Sequence, residues 1–331
     1  MTLPGTLLLS RREVAELLSI DEYIEAVERV FRLYGEGKTQ PPGILGVHAH
    51  DGGFHIKAGL LELARSFFAA KINANFPHNA KRFGLPLIQG VIVLADGQNG
   101  YPLAIMDSME ITIQRTGAAT AVAAKYLARR DSKSIMICGC GNQGRVSIHA
   151  LSKIFSLEHV YAYDVDEAQA LRFANEIAAE LKIPVEAAGD LQAAMKCSDI
   201  CVTCTPSTRF FLKQDQVQPG TFVAAVGADS ETKQEVEPVL LAQNTTVVDI
   251  VEQCAVIGEL HHAIASELMT KQHVQAELGE VVAGIKPGRT SADEIIIFDS
   301  TGMALQDVIV AATVYQKAID KGAGSIVNLA Q

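Results

Sequence analysis

The sequence predicts a two-domain α/β protein in which a doubly wound parallel sheet is joined to a smaller α+β domain. Three observations carry this. From Ser134 onward, apolar runs of strand length alternate with helical segments, as in a parallel sheet covered on both faces. The first of those runs enters the loop KSIMICGCGNQGR, residues 133–145, with glycines at 139, 141 and 144. Well over a hundred residues precede that loop, and between Phe54 and Leu94 their apolar period shifts to two. A chain of 331 residues fits two domains better than one.

Taken in order, Ser19 to Glu22 reads as a capping box. Ile20, Ile24, Val27, Phe31 and Tyr34 then form one apolar stripe that ends at Gly35 and Gly37, which is a packed amphipathic helix. FHIKAG, FFAAKINANF and PLIQGVIVLA read as strands, and DGQNG turns the last of them into YPLAIM as a hairpin. Ile111 to Ala128 is helical, and its run GAATAVAA suits a helix lying close against another backbone and bridging two domains. Beyond it come SIMIC, a helix from Asn142, HVYAY, a helix from Asp166, PVEAA, a short helix, DICVTC, TFVAAVG, a helix near Glu235, TVVDI and EIIIF. A final helix runs from Met303 to Lys321 and closes at Gly322. The expected domains are 1–118 with 304–331 for the α+β part, and 119–303 for the parallel sheet.

Composition narrows the partners. With 48% hydrophobic and 20% charged residues the chain is globular, and a net charge of −10 with no Lys/Arg run longer than two argues against nucleic acid. The leucines before Arg11 and Arg12 are too few for a signal peptide. Apolar runs such as GVIVLA fall far below the roughly 18 residues of a membrane span, so a cytoplasmic protein without a membrane partner is expected. Cysteines 138, 140, 197, 201, 204 and 254 fall mostly on strands, with Cys201 and Cys204 on opposite faces of one strand. They read as buried thiols, and no metal site is expected.

The glycine loop follows a strand, opens a helix, and is followed by a second strand ending in Asp164, 25 residues after Gly139. That context makes it a Rossmann-type dinucleotide fingerprint. Gly139 permits the turn, Gly141 lets backbone approach a pyrophosphate, and Gly144 lets helix and strand pack. The helix opening at Asn142 and Gln143 supplies amide donors and positive potential. Asp164 would accept from the adenosine ribose and repel a 2′-phosphate, so NAD is expected over NADP, with Arg145 as the nearby residue that could favour NADP. Thr203, Thr205 and Pro206, then Gly227 to Asp229, lie at strand carboxyl ends where open parallel sheets bind ligands. DSTG, Asp299 to Gly302, adds another helix start, at which Ser300 is either an N-cap or a nicotinamide contact.

In the N-terminal strands alternation puts His55 and Lys57 on one face, and Lys71, Asn73 and Asn75 on one face. Two readings stand at this point: the solvated side of an antiparallel sheet, or an anion pocket. Arg115, near the start of the small-residue helix, is either a carboxylate clamp or a surface arginine.

The blocks GLPLIQG, YPLAIMD, RTGAATAVAAKYLAR, GCGNQG, AVGADSETKQE and IIIFDSTGMALQD, in this order, resemble the ornithine cyclodeaminase and mu-crystallin superfamily, most of all its archaeal-type alanine dehydrogenase branch. The resemblance implies that the residues before the glycine loop build a substrate-binding and dimerisation domain, completed by the C-terminal helix, in a homodimer. It also implies Lys71 at the reacting centre, Arg115 on the substrate carboxylate and Asp229 as the acid that handles protons at the amine. Cyclodeaminases carry an arginine near PPGILG, and an acid and a methionine where this chain has His55 and Lys57, so these two residues are expected to bind substrate and alter its choice. The expected function is an NAD-dependent amino-acid dehydrogenase or imine reductase on a small amino or imino acid. A pyrroline-2-carboxylate type reductase, an ornithine cyclodeaminase and a non-catalytic NAD(P)H binder are the alternatives.

Overall fold

A computed structural model describes residues 5–329; residues 1–4 and 330–331, the extreme ends of the expected α+β domain, lie outside the described residues. The chain divides into two compact units, Met1–Arg115 with Met303–Gln331, and Thr116–Gly302.

The first unit is a seven-stranded mixed sheet with helices on one face. Its strands are β1 (Thr6–Leu9), β2 (Gly43–Ala49), β3 (Gly52–Glu62), β4 (Ser66–Asn75), β5 (Ile88–Asp96), β6 (Pro102–Asp107) and the C-terminal strand Ser325–Val327. Their order is Ser325–Val327, β1, β6, β5, β4, β3, β2. β1 runs parallel to β6, and every other pairing is antiparallel. β1, β2 and Ser325–Val327 are short or exposed pieces that carry little apolar alternation of their own, and the sequence pattern did not reveal them.

The capping box at Ser19 is present: the hydroxyl accepts from Glu22 N, and the Glu22 carboxylate accepts from Ser19 N at 2.9 Å. The helix Ile20–Gly35 that it starts buries Tyr23, Ile24, Val27, Val30 and Phe31. It packs against the C-terminal helix Ala304–Lys321, which covers one face of the sheet. Helix and sheet approach closely there, since a Cβ on Gly59 would stand 2.7 Å from a Leu305 methyl.

Register decides which side chains meet that helix. Lys57 pairs with Lys71, and the same row runs on through Ile92, Met106 and Leu9. Ile92, Met106 and Leu9 are buried in this row, so the lysine row lies on the covered face. The opposite face carries Leu45, Val47, Phe54, Phe68, Ile72 and Val91, each more than a third exposed. The polar row is thus the inner one and the apolar row the outer one, which removes the reading of the polar face as the solvated side.

The second unit holds an eight-stranded, all-parallel sheet. Its strands are β7 (Ser134–Cys138), β8 (His159–Tyr163), β9 (Val185–Ala187), β10 (Ile200–Thr203), β12 (Phe222–Ala225), β14 (Thr245–Val248), β15 (Ala276–Glu277) and β16 (Ile296–Asp299). A separate parallel pair joins β11 (Thr208–Leu212) to β13 (Gln234–Val236). The sheet order is β9-β8-β7-β10-β12-β16-β14-β15, so the chain reverses direction of growth between β7 and β10, the place where such sheets bind ligands. β7, β10, β12 and β16 are buried almost throughout, and for that reason they read as unbroken apolar runs.

The small-residue helix is Ser108–Leu127, three residues longer at its start than the apolar pattern indicated, because Asp107 Oδ1 accepts from Glu110 N at 2.9 Å. Within the second unit its small residues answer a close approach: a Cβ on Gly117 would lie 2.9 Å from Val146 of the helix Asn142–Leu151. Glu235, expected near a helix, sits in β13, and the helix follows at Pro238–Ala242. Four cysteines are buried, but Cys197 is exposed and Cys204 half-buried; all six are free thiols.

Candidate active site

In the first unit the inner lysine row meets a carboxylate. Lys71, only 3% exposed, stands on β4 with its Nζ 2.7 Å from Asp307 Oδ2 and 3.3 Å from Thr112 Oγ1, to which it donates. Arg115 is also buried; its Nε lies 3.3 Å from Asp307 Oδ1, and its Nη1 donates to Gln306 Oε1 at 3.0 Å. One carboxylate is therefore shared by two cations, and the structure brings together two of the residues singled out by the sequence, Lys71 and Arg115. Lys57 is half-buried in the same row, within electrostatic reach of both Lys71 and Asp307. His55, two residues along and paired with Asn73, is exposed.

Burial is the main cause that brings the Lys71 amine down to about 7; Asp307 opposes the shift, and Arg115 and Lys57 add to it. Burial pushes the Asp307 carboxyl up, but Lys71 and Arg115 outweigh it and hold the group below its ordinary value. The cluster keeps some unfilled capacity: Gln306 Nε2 is a buried donor with no acceptor at hydrogen-bonding geometry among the described residues, and Arg115 Nε has only its 3.3 Å ionic contact with Asp307. A buried donor without an acceptor is uncommon, and beside two cations it suits an anionic ligand. Asp307, Gln306 and Thr112 were not singled out by the sequence. The one available signal was a Gln–Asp pair inside the apolar helix MALQDVIVAATV.

In the second unit the glycine loop has the expected geometry. Gly139 has φ +106°, and a Cβ there would meet Cys204 O at 2.9 Å; a Cβ on Gly144 would stand 2.3 Å from Gly139 O. By contrast, a Cβ on Gly141 would meet nothing within 4 Å, so this residue faces open space. Gly141 is the N-cap of the helix Asn142–Leu151 and offers it no side-chain acceptor. These features fit a dinucleotide phosphate group.

Asp164 is fixed against the loop, accepting from Cys140 N at 2.9 Å and from Asp166 N at 3.0 Å. Each oxygen keeps a second lone pair for a ribose hydroxyl. Arg145, the residue that could have favoured a 2′-phosphate, is engaged by Glu176 and, at 2.5 Å, by Glu180. It lines a cavity of about 210 Å³ beside the loop.

The remaining strand ends are organised by buried acids. Glu235 accepts from Thr203 Oγ1 at 2.8 Å, Thr205 N at 2.5 Å and Gly227 N at 2.9 Å, while its own N donates to Glu259 at 2.7 Å. Burial raises the Glu235 carboxyl in spite of those donors. Thr203 is fully buried and its hydroxyl is spent on Glu235, whereas Pro206 is exposed. Asp249 accepts from Ser300 Oγ at 3.0 Å and Gly302 N at 2.6 Å. Ser300 is therefore not an N-cap, because Asp249 has captured its hydroxyl and Met303 takes the cap position. Asp229 is exposed and pairs with Lys233 at 2.6 Å. Among the described residues no three His, Cys, Asp or Glu side chains are grouped to hold a metal, and no helix is long and apolar enough to cross a membrane.

The sequence profile of the ornithine cyclodeaminase/mu-crystallin family matches residues 5–322. The chain belongs to that family. Within it, the chain is 39% identical over 321 residues to an alanine dehydrogenase of Archaeoglobus fulgidus, with 97% of each chain covered. The structure of an archaeal alanine dehydrogenase dimer with bound NAD superimposes with a TM-score of 0.94 at 38% identity, covering 98% of this chain and 99% of that one. The Thermococcus litoralis Δ1-pyrroline-2-carboxylate reductase in complex with NADH and L-proline gives 0.92 at 34% identity, covering 97% and 100%. The family's NAD-bound members share the parallel-sheet architecture described for the second unit.

Proposed function

We propose that this protein is an NAD-dependent oxidoreductase acting on a small amino acid or its imine. The observation that carries the reading is the buried group of Lys71, Arg115 and Asp307, which offers a carboxylate clamp and an amine that titrates near neutrality in one place. The relatives named for alanine and for pyrroline-2-carboxylate act on substrates of one chemical type, an α-carboxylate beside a carbon–nitrogen bond.

Bound NAD supplies or removes a hydride at the substrate's Cα. Arg115 holds the substrate carboxylate, and Gln306 Nε2 is a further donor toward it. Lys71, with a proton affinity matched to neutral pH, gives or takes a proton at the reacting centre or at the attacking water. Asp229 exchanges protons with the amine nitrogen, and Lys57 and His55 bound the side-chain end of the site. If water attacks the imine, ammonia leaves and the net change is an oxidative deamination. In the reverse sense, a cyclic imine is reduced to its cyclic amino acid by the same residues.

On the cofactor, Gly139, Gly141, Asn142, Gln143 and Gly144 receive the pyrophosphate and Asp164 the adenosine ribose, while Thr205, Pro206, Gly227, Ser300 and Gly302 line the nicotinamide half. The engagement of Arg145 by Glu176 and Glu180 supports NAD over NADP. The outer apolar face of the seven-stranded sheet is the surface we assign to a second copy of the chain. The C-terminal helix, expected to share in that interface, buries most of its apolar residues within its own unit.

The test is a panel of amino acids with NAD+, and of oxo acids with ammonia or cyclic imino acids with NADH, followed by NADH absorbance. Turnover with at least one small amino or imino acid, and with NAD(H) ahead of NADP(H), is the expected result. A chain that binds NADH but turns over no member of the panel is a binder, and the reading fails.

A further inference from the structure

Asp307 has no part in the scheme above, yet it is the group on which the scheme's two cations meet. We propose that Asp307 is the positioning residue of this site: its carboxylate holds the Lys71 amine on one oxygen and the Arg115 guanidinium on the other, fixing the proton-transferring nitrogen relative to the substrate carboxylate. The inference deepens the proposed function and rests on it.

Geometry carries it. Asp307 lies on the first turn of the helix Ala304–Lys321, is 2% exposed, and reaches Lys71 at 2.7 Å and Arg115 at 3.3 Å through different oxygens. The Lys71 contact is a charge-assisted hydrogen bond as well as an ion pair, and the longer Arg115 contact is ionic. A carboxylate kept only for stability gains little from such burial, because desolvating three charges offsets most of their attraction. Gln306, next along the helix, anchors Arg115 from the same turn at 3.0 Å, so adjacent residues of one helix hold both ends of the guanidinium. Substrate docking on Arg115 and proton transfer through Lys71 thus share one rigid support.

The groups facing Lys71 from every packed element are few. They are Asp307 from the C-terminal helix, Arg115 and Thr112 from the helix Ser108–Leu127, Lys57 from β3, and apolar Ile92 from β5. Asp307 is the one that favours the protonated amine; burial, Arg115 and Lys57 all disfavour it. Removing the carboxylate must therefore lower the proton affinity of Lys71. If Lys71 serves as an acid in imine reduction, the alkaline limb of kcat moves to lower pH. If it serves as a base in oxidation, the acid limb moves the same way.

The experiment compares wild type, Asp307→Asn and Asp307→Glu. In the cofactor-free protein the titration of Lys71 is read by pH-dependent acetic anhydride labelling, quantified on the Lys71 peptide by mass spectrometry. In the loaded enzyme, kcat and KM are read across pH on the best substrate of the panel. We expect the Asn variant to titrate at least about one unit lower, with its kcat limb displaced equally and kcat reduced by roughly tenfold or more. The Glu variant keeps the charge but displaces it by a methylene, so it should restore the titration while leaving kcat depressed. Should the Asn variant fail to fold, the Glu variant alone decides: wild-type kcat and KM there would overturn the proposal. An Asn variant whose labelling and pH limbs match wild type, with only its melting temperature lowered, would overturn it too. Failure of the wild type to turn over any substrate sinks the proposed function instead, and the labelling result then stands by itself on the contact between Asp307 and Lys71.

Discussion

Each unit buries a set of charges, and the two sets are built in opposite ways. In the first, Lys71, Arg115 and Lys57 act on the one carboxylate of Asp307, and every contact is between side chains. In the second, the carboxylates of Glu235, Glu259 and Asp299 are buried, and backbone amides of Thr205, Gly227, Glu235 and Leu260 donate to them. Burial pulls the amine of the first set down and pushes the carboxyls of the second set up. Acids bonded to backbone are fixtures, because moving them breaks the loops that they join. Side-chain ion pairs can instead exchange partners with a ligand of the right charge. The first set is suited to chemistry and the second to holding strand ends in place.

That contrast can be broken from the second side. Glu235→Gln keeps the shape but turns an amide nitrogen toward donors, orphaning at least one of Thr203 Oγ1, Thr205 N and Gly227 N, at a cost of about 1–3 kcal/mol. Expected results are a Tm lowered by several degrees, at ~2–4 °C per kcal/mol, and weaker NADH binding by fluorescence titration. The KM for the amino acid should stay within about twofold, on the order of 0.4 kcal/mol. Wild-type Tm and NADH affinity would mean that the acids do not hold the loops.

A smaller effect sharpens the same point. Asp299 is raised from 3.8 to about 7, with burial as the first cause and Asp249 adding to it against the donating Leu260 amide. The folded chain therefore holds a proton that the unfolded chain gives up near pH 4. The stability from this group is present below that value and is lost as pH rises through 7. Asp299→Asn mimics the protonated form, so its Tm relative to wild type should rise by a few degrees between about pH 5 and about pH 8. A Tm difference that stays constant across that range would contradict the assignment.

Much of the second unit was legible in the sequence because its strands are buried on both faces and its glycine loop has a fixed spacing. The first unit was legible only in part. Alternation showed that His55 shares a face with Lys57, and Lys71 with Asn73, but it could not show which face is covered. Local polarity pointed outward, whereas the helix bearing Gln306 and Asp307 lies over the polar row. Asp307 stayed hidden because its partners stand far off in the chain, at 71 and 115, and no local period links them. Spacing left Ser300 open between a cap and a nicotinamide contact for a related reason, since Asp249 reaches it from a distant strand end. β1 and β2 escaped because short or exposed strands near a sheet edge need little apolar patterning.

The central claim is that the buried amine of Lys71 moves a proton for an NAD-dependent oxidoreductase. Its most direct test is kcat of Lys71→Met against wild type on the best substrate of the panel, with NADH affinity measured on the same samples. The account predicts a kcat lower by roughly 10²-fold or more with NADH affinity within about twofold of wild type, because the amine belongs to proton transfer and not to the cofactor site. A Met variant that turns over at near wild-type kcat while binding NADH normally would contradict it.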